Sequence, residues 1–264
     1  MSEAEGTARG RKDGVIGWVI FDNPRRLNAI SSDMAGQALE VVRGFEADGA
    51  VRVIVLRGEG TKAFISGGDI SKFEKTRTDA ASTEADRQNY NDLKNALQAT
   101  RKPVIAMIHG YCLGGGMGLA LAADIRLAAS SARLGIPAAK RAIGYPIEQV
   151  RQLLNIVGPA VARDVLFSAR QIEAPEALQL GLVNRVFPTE SLERETIAYA
   201  TILAENAPLS IAASKFCIDE LLKDDARQDR ARMQALIDAS TGSEDFREAT
   251  RSFMEKRRPV FRGV

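Results

Sequence analysis

The stretch that decides the fold is IAMIHGYCLGGGMGLALAADIRLAA, Ile105 to Ala129. Together with Val104 it opens on a continuous apolar run, Val104–Ile108, which reads as a buried strand. The cluster Gly114-Gly115-Gly116-Met117-Gly118 follows and opens a helix of small residues, and a second strand is expected over Asp124–Ala128. Apolar strands alternating with helices predict an α/β architecture with mostly parallel pairing. Glycines let a backbone approach a ligand and leave its N–H groups uncovered. A helix that begins there aims its free N–H groups and the positive end of its dipole at one spot. Such a spot can stabilise a negative oxygen, as acyl transfer or enolate formation requires. A glycine run standing alone would speak first for tight packing of a helix on a sheet.

Working outward, Val15–Phe21 is β-branched and aromatic and predicts a strand. Ser31 or Ser32 can cap a helix reaching about Asp48, with Met34, Leu39, Val42 and Phe45 as its apolar positions. Val53–Leu56 is a further apolar strand, closed by Gly58-Glu59-Gly60. Thr76 to Arg87, rich in Thr, Ala, Ser, Asp and Glu, reads as a loop or frayed helix of the kind that selects substrates. From about Ile147 the chain reads as nearly all helix, punctuated by Pro159, Pro175, Pro188 and Pro208. The expected division is a flexible leader over 1–13, a core over 14–200 and a helical region over 201–264.

At 264 residues the chain has the length of one large domain or a domain with an appendage. A net charge of +2 argues against a nucleic-acid partner. Cys112 and Cys217 are too few for a disulfide framework or a metal cluster, and with His109 the single histidine, a histidine-rich metal site is excluded. The N-terminus MSEAEGTARGRKDG is polar and does not read as a signal peptide, and no apolar run approaches a membrane span, so a cytoplasmic protein without a membrane partner is expected.

Five ordered segments resemble the enoyl-CoA hydratase/isomerase (crotonase) superfamily: NPRRLNAI (Asn23–Ile30), KAFISGGDI (Lys62–Ile70), the Ile105–Ala129 stretch, GLVNRVFP (Gly181–Pro188) and EKRRP (Glu255–Pro259). The resemblance implies a crotonase-like spiral of ββα units with a helical C-terminal trimerisation region, assembled as a homotrimer or a homohexamer. It implies an acyl-CoA thioester as substrate, with coenzyme A part of that substrate and no separate cofactor or metal. The oxyanion donors would be the backbone N–H groups of Gly68 and Gly115. Coenzyme A would lie along Lys62, Ala63, Phe64, Ser66, Asp69 and Ile70, with Arg25, Leu27 and Ala29 on the pantetheine and phosphate path. Tyr111, Leu113 and Gly114 would complete the substrate wall, and Lys256 would reach phosphates. Arg25 and Arg26 are equally readable as solvated surface charges.

The chain departs from the family pattern where hydratases carry their two glutamates. The first position is Gly118 and the second is Ala138. Neither side chain can move a proton, so hydration by two carboxylates cannot operate as written. Tyr145 falls where a tyrosine orients the reacting carboxylate in family decarboxylases, or else is a half-buried aromatic with a satisfied hydroxyl. Glu148 is either a relocated base or an acid complementing a helix dipole. His109, Cys112 and Asp124 read as structural. Three functions stay open: a hydratase/isomerase-family enzyme acting through an oxyanion, a decarboxylase of a malonyl-type CoA thioester, and a non-catalytic acyl-CoA binding protein.

Overall fold

The computed structural model describes residues 6–68 and 80–264, with side chains from 88 onward in the second span. Two sheets share the strands by alternation. The larger holds β1 (Thr7–Asp13), β2 (Ile16–Asp22), β3 (Val53–Gly58), β5 (Val104–Ile108), β7 (Ile125–Ala129) and β10 (Arg185–Phe187) in that spatial order. The smaller holds β4 (Ala63–Ile65), β6 (Tyr111–Leu113), β8 (Arg133–Gly135) and β9 (Ile172–Glu173). The chain visits the large sheet, then the small one, then a helix. It does so three times, through β3, β4 and α2 (Ala80–Ala99), then β5, β6 and α3 (Gly115–Ala122), then β7, β8 and α4 (Ile147–Ser168). Strands β2 to β10 of the large sheet pair in parallel. This is the expected α/β spiral of ββα units.

Fully apolar strands need cover on both faces, and both are covered. On the front face lie α1 (Ser32–Ala47), α2, α3 and the small sheet, around Phe21, Met34, Leu56, Phe64, Leu93 and Leu97. Ser31 caps α1 by accepting from the Met34 N–H at 3.2 Å, and Met34, Leu39 and Val42 are buried as their spacing predicts. On the back face, Trp18, Val55, Ile105 and Met107 pack under α6 (Leu192–Ala204). Trp18 is wholly buried, with the guanidinium groups of Arg11 and Arg57 at 5.2 and 5.9 Å from its ring.

Two expectations need correction, the leader and the boundary at 200. The supposed leader contains β1, paired with β2 from Thr7↔Asp22 to Asp13↔Ile16. Its residues are polar because it is an edge strand with only Ala8 buried. Charged edges deter further pairing, and here Arg9 pairs with Glu59 and Lys12 with Asp48. The part from Ile147 is nearly all helix as expected, interrupted by the short strands β9 and β10, which extend the two sheets after α4. The expected boundary at 200 falls inside α6, whose Leu192 and Ala200 are buried against the sheet.

The remaining helices are α5 (Ala174–Gln179), α7 (Pro208–Leu221), α8 (Arg230–Thr241) and α9 (Glu244–Met254). Pro175 and Pro208 stand in the first turns of α5 and α7, where a missing N–H costs nothing. Pro159 lies within α4, but Gly158 before it leaves the helical region at φ 72°, so α4 is two helical pieces. None of the described helices is long and apolar enough to cross a membrane.

Candidate active site

The site is the corner where the two glycine turns meet. Strand β4 ends at Ile65 and runs into Ser66-Gly67-Gly68, while β6 ends at Leu113 and runs into Gly114-Gly115. A Cβ added to Gly115 would lie 3.4 Å from the Gly68 nitrogen and 3.6 Å from Ile30 Cγ2. Gly114 makes the turn into α3 at φ 51°, ψ −109°, a conformation that L side chains resist. Gly115 is the first residue of α3, so its N–H belongs to the unpaired first turn. Gly116 must be glycine because a Cβ there would collide with the Ile65 carbonyl.

The surrounding segments hold this corner. Ile30 bridges in parallel to Gly68, with the Ile30 N–H donating to the Gly67 carbonyl at 2.9 Å. The Ser66 N–H donates to the Leu27 carbonyl at 3.1 Å, and its Oγ donates to the Arg26 carbonyl at 3.1 Å. Asn28, 1 % exposed, is the lock of the Asn23–Ile30 segment. Its Nδ2 donates to the carbonyls of Glu59 and Ala63, and its Oδ1 accepts from the Asn23 N–H. The sequence reading passed over Asn28; asparagine's tolerance of the left-handed region, entered here at φ 57°, was the available signal. From the third turn of the spiral, the Gly135 carbonyl accepts the Gly114 N–H at 2.9 Å.

Arg126, unassigned from sequence, is buried at the other end of α3. It donates to the carbonyls of Ala123, Ala120 and Leu182. A cation on the carbonyl end complements the helix dipole, whose positive end then faces the glycine corner.

At the first expected acid position, a Cβ on Gly118 would run into Tyr90 Oη and come within 2.8 Å of Gln149 Oε1. Tyr90 comes from α2 and donates to the Gly115 carbonyl at 2.6 Å. Tyr145 reaches the same corner, its hydroxyl 3.4 Å from the Gly114 carbonyl. Burial raises the affinity of both hydroxyls for their protons, so both stand as donors. Lys94, one turn beyond Tyr90 and 4 % exposed, places its ammonium 5.5 Å from the Tyr90 ring centroid. Burial lowers the Lys94 pKa, with the Glu148 carboxylate pulling the other way. Neither Tyr90, Lys94 nor Gln149 was singled out from sequence.

The other expected site residues divide. Ala63 and Phe64 are buried in β4, so a ligand there would meet their backbone, while Lys62 beside them is exposed. Ala29 is buried and Leu27 half-buried next to Ser66, and Arg25 is exposed. Leu113 and Gly114 lie at the corner, and Tyr111 is partly exposed at the head of β6. Asp69, Ile70 and the first part of the Thr76–Arg87 reading, through residue 79, lie outside the described residues; from Ala80 the chain is helix, the start of α2. Glu148 is exposed in the first turn of α4, 3.8 Å from Arg151. Lys256 is exposed just past α9, and its neighbour Arg257 is held by Glu248 and Glu255. Cys112 is fully buried, and burial pushes its thiol pKa up, away from reactivity. Asp124 accepts from the Val104 N–H and from Lys215 Nζ. Among the described residues no group of His, Cys, Asp and Glu is placed to hold a metal ion.

Known proteins resemble this chain along nearly its whole length. The model of the family described as Enoyl-CoA hydratase/isomerase matches residues 11–264. The short-chain-enoyl-CoA hydratase of Clostridium acetobutylicum is 32% identical over 251 residues, spanning 94% of both chains. The crotonyl-CoA hydratase of Syntrophomonas wolfei is 32% identical over 254 residues, spanning 95% of both. A crystal structure described as an enoyl-CoA hydratase/carnithine racemase from Magnetospirillum magneticum superposes with a TM-score of 0.92 at 32% identity, covering 99% of this chain and 97% of that one.

Proposed function

We propose, for a chain that belongs to the enoyl-CoA hydratase/isomerase family, that it acts on acyl-CoA thioesters and holds the thioester oxygen between the backbone N–H groups of Gly68 and Gly115. The observation that carries this reading is the meeting of the two glycine turns, with the Gly68 nitrogen 3.4 Å from the position of a Gly115 Cβ. As the thioester takes on enolate character, its oxygen gains charge. Fixed donors then bind the charged state better than the neutral one, by about 2.7–4 kcal/mol per donor. The dipole of α3 adds to that field. Coenzyme A enters as part of the substrate, with Lys62 and Arg25 as exposed cations for its phosphates, and the reading calls for no separate cofactor or metal.

A second observation favours one reaction within this class. The place of the first expected acid is taken by Tyr90 Oη and Gln149 Oε1, and Glu148 faces solvent. Loss of CO2 from a malonyl-type thioester needs no protein base, because the breaking C–C bond leaves its electron pair on the α-carbon and the thioester oxygen. CO2 departs as that bond breaks, and a proton from water then returns to the α-carbon. Decarboxylation is therefore the reading we favour over hydration. Turnover of crotonyl-CoA and methylmalonyl-CoA, followed by absorbance and mass, separates them. CO2 loss without water addition is expected. Fast hydration of crotonyl-CoA overturns the decarboxylase, and tight CoA binding with no turnover of either overturns the enzyme and leaves a binding protein. We also propose assembly as a trimer or a dimer of trimers, to which the exposed Phe246, Phe253 and Met254 of α9 would contribute; a monomer by light scattering refutes it.

A further inference from the structure

We infer that Tyr90 is a positioning residue for the Gly115 oxyanion donor, acting through the Gly115 carbonyl from the place where the family pattern would put an acid. This rests on the oxyanion reading above and goes beyond it. Gly115 lies between two peptide planes. The plane before it carries the donor N–H, and its carbonyl, that of Gly114, accepts from the Gly118 N–H at 3.0 Å and faces the Tyr145 hydroxyl at 3.4 Å. The plane after it carries the Gly115 carbonyl, which accepts from Tyr90 at 2.6 Å. Glycine itself offers little resistance to rotation about either bond. Pinning both carbonyls fixes the direction in which the N–H between them points.

Tyr90 can do this because it is itself rigid. It shares a stripe of α2 with Leu93 and Leu97, both fully buried. The preceding Asn89 donates to the Ser32 carbonyl and Oγ at 3.3 and 3.1 Å, which ties α2 to the start of α1. Lys94 lies against the ring of Tyr90. The hydroxyl sits where a Gly118 side chain would begin, so glycine at 118 and tyrosine at 90 are one arrangement. A donor of fixed direction has less reorganisation to undergo when the oxyanion forms.

Two CoA probes separate this role from packing. Butyryl-CoA reports ground-state binding, and a CoA thioether whose acyl end is a nitronate mimics the enolate. Tyr90→Phe keeps the ring and removes only the hydroxyl. It is expected to weaken the nitronate probe by about tenfold, short of the 10²–10³ typical of deleting an oxyanion donor, and to leave butyryl-CoA within about twofold. On the turned-over thioester, kcat falls with KM nearly unchanged. Equal weakening of both probes, or no change in either, overturns the inference. If neither probe binds the wild-type protein, the acyl-CoA reading itself fails, and the positioning role falls with it. The shared space has its own check, independent of ligands. Gly118→Ala lowers the melting temperature of the wild type and lowers it less in the Tyr90→Phe background; equal lowering in both backgrounds contradicts the arrangement.

Discussion

Several buried polar groups on the two faces of the large sheet are treated in opposite ways. On the front, three inward polar side chains are spent on backbone carbonyls: Asn28 on Glu59 and Ala63, Tyr90 on Gly115 at the glycine corner, and Arg126 on three carbonyls around the far end of α3. On the back, Trp18 Nε1, both ring nitrogens of His109 and Thr196 Oγ1 are buried without a hydrogen-bond partner among the described residues. Burial of polar atoms therefore does not mark the site. What marks it is that side-chain donors are consumed in holding main chain, so that main-chain N–H groups can stay free and aimed.

The sharpest way to break this contrast is Gly115→Pro. Proline is tolerated in the first turn of a helix, so α3 survives while one free N–H disappears. Turnover of whichever thioester proves active should fall about 10²–10³-fold, with the affinity for a saturated acyl-CoA changing far less. Unchanged turnover would place the oxyanion donor elsewhere. Next in size is Arg126→Met, which fills the space but leaves the carbonyls at the end of α3 unpaired. We expect a loss of about 1–3 kcal/mol in denaturant unfolding, and a loss under half a kcal/mol would show that water replaces the guanidinium. The matching substitution on the back, Thr196→Val, removes an orphan hydroxyl and should be neutral or stabilising by up to about 1 kcal/mol. Clear destabilisation there would mean that the hydroxyl has a partner in solution.

The smallest effect is a pH dependence. Burial, and then the Arg57 cation, lower the His109 pKa below its ordinary 6.5, with Glu193 opposing. The unfolded chain thus binds the extra proton before the folded one does. Stability from this group is fully present above about pH 6.5. It is lost as pH falls through that value toward the folded pKa. His109→Gln should flatten this limb of a stability–pH curve measured from pH 8 down to 5, and an unaltered slope would assign it to other groups.

How much was readable in advance follows from how local each cause is. The Val104–Ala129 stretch announces strand, glycine turn and helix within a single run, so the α/β class and one glycine turn were legible there, while the spiral and the partner turn at Gly67-Gly68 came only as what the family resemblance implies. Strand β1 was not: Thr-Ala-Arg-Gly-Arg-Lys-Asp has no apolar alternation, and only its partner β2 makes it a strand. Tyr90 was invisible for a related reason. Its partner Gly115 is 25 positions away along the chain, and its neighbourhood reads as polar helix. The spacing of Tyr90, Leu93 and Leu97 was the one local hint that this residue faces inward. Glu148, by contrast, was named because it is an acid near the right place in the chain, and the orientation of α4 turns it to solvent.

Trp18 has a practical consequence. It is the only tryptophan in the chain, wholly buried, and bracketed by two guanidinium groups on the face away from the glycine corner. Its emission is thus a built-in optical gauge of one layer of the molecule. A red shift reports that α6 has lifted from the sheet and let water in. Filling the glycine corner should leave the spectrum still, so a thioester titration that moves it would be reporting a change carried through the full thickness of the sheet.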